Sequence, residues 1–382
     1  MPDPPVYLDC HATTPVDPRV LEVMLPWFSE RFGNAASIDH AFGWDADEAV
    51  EAARSQIAES INAEPRSLIF TSGATEADNL AIKGVLTASP SGSHLIVNAG
   101  EHRAVLDPAG RLARRGYETT VLPIDTFGAI APEDVDAAIT SRTRLVSVML
   151  ANNEIGTINA ISKVAKVCRD RGVLLHCDAA QALGRIPVDV RQLGVDLMSL
   201  SAHKVYGPKG VGALFVRRGA PRVALEPLID GGGHEQGLRS GTLPVPLIAG
   251  FGAACRIAAE SLETDVPRIQ ELTDRLWQGL SDGLSDVLLN GPVKGRLPGN
   301  LNVSFASVEG QALMAGLRRI AVSSGSACTS SNPEPSHVLR AIGRNEALTR
   351  ASVRFGVGRF NTEADVETAV EEVVQTVERL RS

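Results

Sequence analysis

Short apolar runs alternate along this chain with stretches whose apolar residues recur every three or four positions. The runs include Leu68–Phe70, His94–Val97, Leu145–Leu150, Val173–Cys177 and Val211–Val216. Between them lie helix-like stretches at Asp45–Ile61, Pro132–Ile139 and Ile161–Arg171. Short, nearly continuous apolar strands separated by helices predict a mostly parallel sheet covered on both faces. Residues 15–255 therefore read as one large α/β domain. Around Ala253–Leu280 the pattern becomes a long helix, with Pro267 predicted to kink or break it. The C-terminal part, residues 256–382, reads together with 1–14 as a smaller α+β domain. Its last element has Val366, Ala369, Val370, Val373, Val374, Val377 and Leu380 at helical spacing, behind a Thr362/Asp365 capping box.

A chain of 382 residues is long enough for two or three such units and for a core without disulfide or metal staples. The formal net charge of -8 argues against direct nucleic-acid binding, which needs a basic footprint. No run approaches 18 consecutive apolar residues, so no membrane span is predicted. The opening MPDPPVYLDC lacks the basic and apolar regions of a signal peptide. Five cysteines (Cys10, Cys168, Cys177, Cys255 and Cys328) form an odd, unpatterned set with no C-x-x-C. Neither a disulfide frame nor a metal site is expected, and a reducing cytoplasm fits best.

Three segments carry chemistry. Thr71–Glu76 follows a predicted strand and opens a predicted helix at Glu76–Val85. Small hydroxyl residues around a helix N-terminus suit a phosphate, although a plain turn capped by Thr75 would read the same. The P-loop is ruled out because the chain has no Gly-Lys dipeptide. Gly207–Gly212 is glycine-rich but precedes a strand, the wrong context for a dinucleotide fingerprint. His234-Glu235 lacks the second histidine of a zincin. In His176–Gln181, Asp178 ends an apolar strand, where sheet ligands bind and where a buried carboxylate needs a cationic partner. In Leu197–Gly210, Lys204 follows a strand directly, and desolvation there would favour a neutral, nucleophilic amine. Phosphate turn, strand-end Asp and loop Lys together match pyridoxal 5′-phosphate: an anchor, a pyridinium partner and a Schiff base.

The chain resembles the cysteine desulfurases of the NifS/IscS type, class V aminotransferase-like proteins of pyridoxal-phosphate fold type I. The resemblance runs almost end to end. It is carried by Leu8–Pro15, Thr71–Asn79, Gly100–His102, Asn152–Gly156, His176–Gln181, Ser201–Gly210, Arg239–Pro244 and Val322–Ser330. It implies a homodimer in which Thr242 reaches the phosphate of the neighbouring subunit. It further implies that Lys204 forms the Schiff base, that Asp178 keeps the pyridine nitrogen protonated and that Gln181 bonds the ring hydroxyl. His102 would stack on the ring and move protons. Ala74, Thr75, Ser201 and His203 would hold the phosphate, with Asn153 near both ring and substrate. Arg354 is expected to grip the substrate carboxylate with a bidentate fork, supported by Asn34.

Cys328 lies in the polar run Ser-Ser-Gly-Ser-Ala-Cys-Thr-Ser-Ser, which cannot build an apolar pocket around it. The other cysteines sit in or beside apolar or helical runs. The expected reaction is removal of sulfur from L-cysteine, giving alanine and a persulfide on Cys328 that passes to an acceptor protein by thiol exchange. Alternatives are selenocysteine lysis or transamination on the same scaffold, and a catalytically idle sulfur-relay scaffold. Transamination needs no protein thiol, and an idle relay would be free to lose Lys204 or Cys328. Two residues depart from the common pattern: Cys10, at a position near the site mouth that is usually aromatic or histidine, and Ala180, where a threonine is often found. The sequence stops at Ser382, whereas housekeeping members of the family often carry a further tail that docks an iron–sulfur scaffold protein. Iron–sulfur assembly, tRNA thiolation and DNA phosphorothioation all remain open as destinations for the sulfur.

Overall fold

A computed structural model describes residues 4–324 and 335–382. Among these residues the large sheet has seven strands: β1 (Leu68–Thr71), β2 (His94–Asn98), β3 (Glu118–Leu122), β4 (Thr143–Ser147), β5 (Leu174–Asp178), β6 (Leu197–Ser201) and β7 (Gly212–Val216). Their order is β1-β7-β6-β5-β4-β2-β3. Neighbours pair in parallel except β7, which runs antiparallel to both β1 and β6. The architecture is mixed α/β, a mostly parallel sheet covered by helices, as the apolar runs predict. Strand β3 is missing from those runs because only Leu122 in it is fully buried, so it carries no continuous apolar signal.

Helices cover both faces. On one side α1 (Ala41–Ser60) packs its buried Ala46, Val50, Ala53 and Ile57 into the main core. On the other, α2 (Ala74–Thr87) packs Leu80, Ala81 and Val85 with Val97 of β2 and Leu214 of β7.

The long helix α3 (Val245–Gly283) runs unbroken through Pro267, where a kink or a break is expected. Pro267 is exposed and so is Glu263, whose carbonyl loses its helical partner, so water can satisfy it. The helix is also held at both ends. Ile248, Phe251 and Ile257 lie in the main core, while Ile269, Leu272, Leu276 and Leu280 lie in a second core. By length and a mean hydropathy of 1.3 this helix could cross a membrane, but 61% of its most apolar window is buried within the protein.

The second core lies over a four-stranded antiparallel sheet built from β8 (Val287–Leu289), β9 (Asn300–Phe305), β10 (Ser323–Ser324) and β11 (Ser352–Gly356), in the order β10-β11-β9-β8. Helix α4 (Glu363–Arg381) closes it with Val366, Ala369, Val373 and Val377, starting at the expected Thr362/Asp365 capping box. Near the N-terminus, Val6–Tyr7 pairs in parallel with Ile320–Ala321, and Leu8 is buried in this second core. The chain then crosses to the carboxyl ends of β5 and β6.

Candidate active site

Asp178, the last residue of β5, is buried. Its Oδ1 accepts from the Ala180 backbone N–H at 2.9 Å. Burial pushes its carboxyl above the ordinary range, while that N–H and the nearby His102 and Lys204 pull it back. His102 caps the helix at Arg103–Ala113, its Nδ1 accepting from the Ala104 N–H at 3.1 Å. Burial holds its pKa low; Asp178 opposes this shift and Lys204 adds to it. Asp178, His102 and Lys204 therefore share one electrostatic neighbourhood.

Lys204 ends a short 3-10 turn directly after β6. Its Nζ donates to the carbonyls of His11 and Ala12, the latter at 2.8 Å. Gln181 joins the same group: its Nε2 donates to the His11 carbonyl and its Oε1 meets His11 Nδ1, each at 2.9 Å. The Lys204 loop is clamped from the N-terminal segment. The Thr14 N–H donates to the His203 carbonyl at 2.9 Å, and Tyr206 N–H donates to Thr14 Oγ1 at 2.9 Å. His203 Nδ1 lies 3.1 Å from Thr13 Oγ1. Burial, then Lys204 and Lys209, lower the His203 pKa to about 4.

At the other end of the site, α2 begins after Gly73 with no side chain capping it. Ala74 and Thr75 form its first turn. Among the described residues, nothing lies within 4 Å of where a Gly73 Cβ would stand. Ser201 Oγ is buried without a hydrogen-bond partner among the described residues. An uncapped helix N-terminus suits an anion, and an orphaned hydroxyl, the Asp178 carboxylate and the Lys204 amine complete the donor set of pyridoxal phosphate. The residues present fit the group.

Arg354 on β11 is buried, with Nη2 on Asp9 Oδ1 at 2.9 Å and Nη1 on the Asn153 carbonyl at 3.0 Å. Its Nε has no hydrogen-bond partner among the described residues. The fork is thus already shared with Asp9, where the sequence suggested two free arms for substrate. Asn34 and Thr242 are not drawn into this cluster. Both are exposed, and Asn34 lines a separate cavity of about 480 Å³ beside Arg54 and Glu235.

Cys328 lies outside the described residues. The chain on either side of its segment is tied to the site. Ser323 pairs in register with Arg354 and donates to Asp9 Oδ2 at 2.7 Å. Ser336 donates to Glu154, next to Asn153, and His337 Nε2 lies 2.9 Å from the Glu101 carbonyl, next to His102. The four described cysteines are all buried. Burial pushes Cys10 up to about 11, Cys168 and Cys255 to about 12, and Cys177 well above its ordinary value. Cys10 is buried, with 3% exposure.

Nothing in the sequence assigns a role to Asp9, His11, Thr13 or Thr14 individually, although all four lie in the Leu8–Pro15 segment. A run of polar residues directly after two strand residues is the signal that could have found them.

This is the donor arrangement of a pyridoxal-phosphate enzyme of fold type I. The class-V aminotransferase family model matches residues 6–368, and the chain belongs to that family, within its cysteine desulfurases. A curated cysteine desulfurase IscS from Anaeromyxobacter sp. (strain Fw109-5) is 54% identical over 378 residues, covering 99% of this chain and 93% of the relative. A solved NifS-like protein superposes with a TM-score of 0.91 at 35% identity, covering 98% of this chain and all of that one. A structure described as SspA in complex with cysteine gives a TM-score of 0.83 at 36% identity, covering 94% of this chain and 100% of that one.

Proposed function

We propose that this enzyme takes the sulfur of free L-cysteine onto Cys328 and hands it to an acceptor protein, leaving alanine. The observation that carries this reading is the attachment of both flanks of the Cys328 segment to the site's surroundings: Ser323 to Asp9, the partner of Arg354, Ser336 to Glu154 beside Asn153, and His337 to Glu101 beside His102. The high pKa of the four buried cysteines supports it, since the thiolate is the nucleophile.

When bound, pyridoxal phosphate supplies a sink for the electrons released at the substrate carbons. Ala74, Thr75, Ser201 and His203 would hold its phosphate, Asp178 its ring nitrogen, Gln181 its ring hydroxyl and Lys204 its aldehyde carbon. Asp178 suits that role because a cation beside it restores the ionised form that burial disfavours. His102, uncharged at neutral pH, would stack on the ring and can accept a proton. With the cofactor in place, the Lys204 amine would be the base that takes the proton from the substrate α-carbon. Arg354 would orient the substrate carboxylate with Nε and a share of Nη2, with Asn153 beside it. The Cys328 thiolate attacks the substrate sulfur. An S–S bond forms and the C–S bond breaks, and its electron pair ends in a C–H bond of alanine.

We further infer a homodimer. Phe32, Ile38 and Trp44 are 65%, 79% and 59% exposed, in the same region as Asn34 and beyond what a lone chain should leave in water. Thr242 would reach the partner's phosphate site across that face. Sedimentation at micromolar concentration should give two chains per particle, and a single chain would refute this. The unpaired thiols of the four described cysteines support a reducing, cytoplasmic setting.

Mass spectrometry after adding cysteine without reductant tests the reaction. A sulfur adduct of one atom on Cys328 is expected, absent in Cys328→Ser and in Lys204→Ala. An adduct confined to Cys10, Cys168, Cys177 or Cys255, with Cys328→Ser fully active, would overturn it.

A further inference from the structure

His11 has no exposed surface, yet it touches the site three times. Its ring Nδ1 lies 2.9 Å from Gln181 Oε1, and its carbonyl accepts from Gln181 Nε2 at 2.9 Å and from Lys204 Nζ. We propose that His11, carrying its proton on Nδ1, is a positioning residue that fixes which end of the Gln181 amide faces the cofactor and where the Lys204 amine rests. The inference rests on Gln181 serving the ring hydroxyl and Lys204 the aldehyde carbon.

The donor pattern follows from elementary hydrogen-bond chemistry. A backbone carbonyl only accepts, so the amide group facing the His11 carbonyl is the NH2 of Gln181. The group facing the ring is then the amide oxygen, which also only accepts. Nδ1 must supply the proton. Turning the amide over would set oxygen against oxygen on one side and N–H against N–H on the other, so both contacts would be lost together. One N–H of Gln181 is spent on the His11 carbonyl. The other is left as a donor, so the cofactor meets a donor from this residue and never an acceptor.

The tautomer also has to persist at working pH. His11 Nε2 is buried with no hydrogen-bond partner among the described residues, so it is the bare acceptor nitrogen of a neutral ring. Burial comes first among the influences on the ring, and the cations Arg185, Arg354 and Lys204 act the same way; together they hold its pKa well below 6.5, with only the Gln181 contact opposing them. A second proton on this imidazole would place a fourth positive charge among three. The lysine contact adds a second consequence. The carbonyls of His11 and Ala12 fix the Lys204 amine beside the Gln181 amide, so a shift of this backbone would move both groups at once.

The pH midpoint of the visible absorption band of the cofactor-loaded enzyme reports the donor on the cofactor's ring oxygen. Wild type, Gln181→Leu, His11→Leu and His11→Asn should be titrated side by side. The Asn side chain places an N–H the same number of bonds from Cβ as His Nδ1, so it keeps the donor. Gln181→Leu and His11→Leu are both expected to raise the midpoint, by about half a unit to one unit, while His11→Asn stays near wild type. If Gln181→Leu moves the midpoint and His11→Leu does not, His11 has no positioning role and the Gln181 assignment stands. If neither moves it, both fall. Should His11→Leu fail to fold, nitrogen-15 histidine NMR of the loaded wild-type enzyme decides, with the His11 signals identified by their loss in His11→Asn. A neutral ring protonated on Nδ1 near neutral pH supports the inference. A ring protonated on Nε2, or an imidazolium, overturns it.

Discussion

Arg354 shows how much a single residue's role depends on its neighbours. From sequence it is an arginine on a strand, with a planar fork suited to a carboxylate. In the fold its two terminal nitrogens already hold Asp9 and the Asn153 carbonyl, so substrate must share the guanidinium with Asp9. Arg354→Ala is expected to raise KM for cysteine about ten- to hundred-fold, corresponding to about 1.4–2.8 kcal/mol, with cofactor content unchanged. Steady-state kinetics and the visible absorbance of the purified variant measure the two effects separately. An unchanged KM would remove Arg354 from substrate binding. The cysteines make the same point by exclusion. Their types are plain in the sequence, but the raised pKa of four of them comes from burial that only packing creates.

Among the elements, the turn between β1 and α2 is set by β7. A Cβ placed on Gly212 would lie 2.5 Å from the Leu200 carbonyl oxygen and 2.7 Å from Gly73 Cα, so this strand passes directly beneath the turn offered to phosphate. Gly212→Ala must push the Gly73 turn aside, because its close contacts are backbone atoms that cannot rotate away. A loss of about 1–3 kcal/mol in urea unfolding is expected, together with weaker cofactor retention on dialysis. Wild-type retention in a destabilised variant would show that the turn does not carry the phosphate. Helix α3 gives the opposite lesson about local rules. Pro267 predicts a kink or an interruption, yet the helix continues through it with each end anchored in a core, and the residue whose carbonyl is freed is exposed.

Taken whole, the protein buries titratable groups of both kinds, and they pull its pH stability in opposite directions. His176 is fully buried and held down to about 3, and His203 to about 4. For such groups the unfolded chain takes the proton first, so stability is lost as pH falls from about 6.5. Glu101 is pushed up to about 8 and Glu154 to about 7, mainly by burial. For these the folded chain keeps the proton longer, so stability is lost as pH rises from about 4.5 toward 7 and 8. Outside the window one kind acts without the other: below it the histidines, joined by carboxylates such as Asp17, which its arginine partners hold down to about 2, and above it the buried carboxyls. The cofactor-free protein should therefore be most stable between about pH 4.5 and 6.5, with each uncompensated group contributing about 1.4 kcal/mol per pH unit outside it. Urea midpoints from pH 4 to 9 check this; a curve still rising between pH 7 and 8 would contradict it. Glu101→Gln should flatten the alkaline decline.

The sequence by itself determined the alternation of apolar strands and helices, the capped C-terminal helix, and the Asp178, Lys204 and Thr71–Glu76 segments. All of these are local signals: a period, a cap, a residue type at a strand end. It also carried the family, because whole segments such as Ser201–Gly210 survive as contiguous text. Only the tertiary structure decided that Leu8–Pro15 wraps the Lys204 loop, that Asp9 links Arg354 to Ser323, and that His11 lies between Gln181 and Lys204. Asp9 is 345 residues from Arg354 and His11 is 170 from Gln181, so no local period or cap relates them. The pKa shifts belong with these contacts, because they come from desolvation and from charges brought together by the fold, neither of which exists along an extended chain.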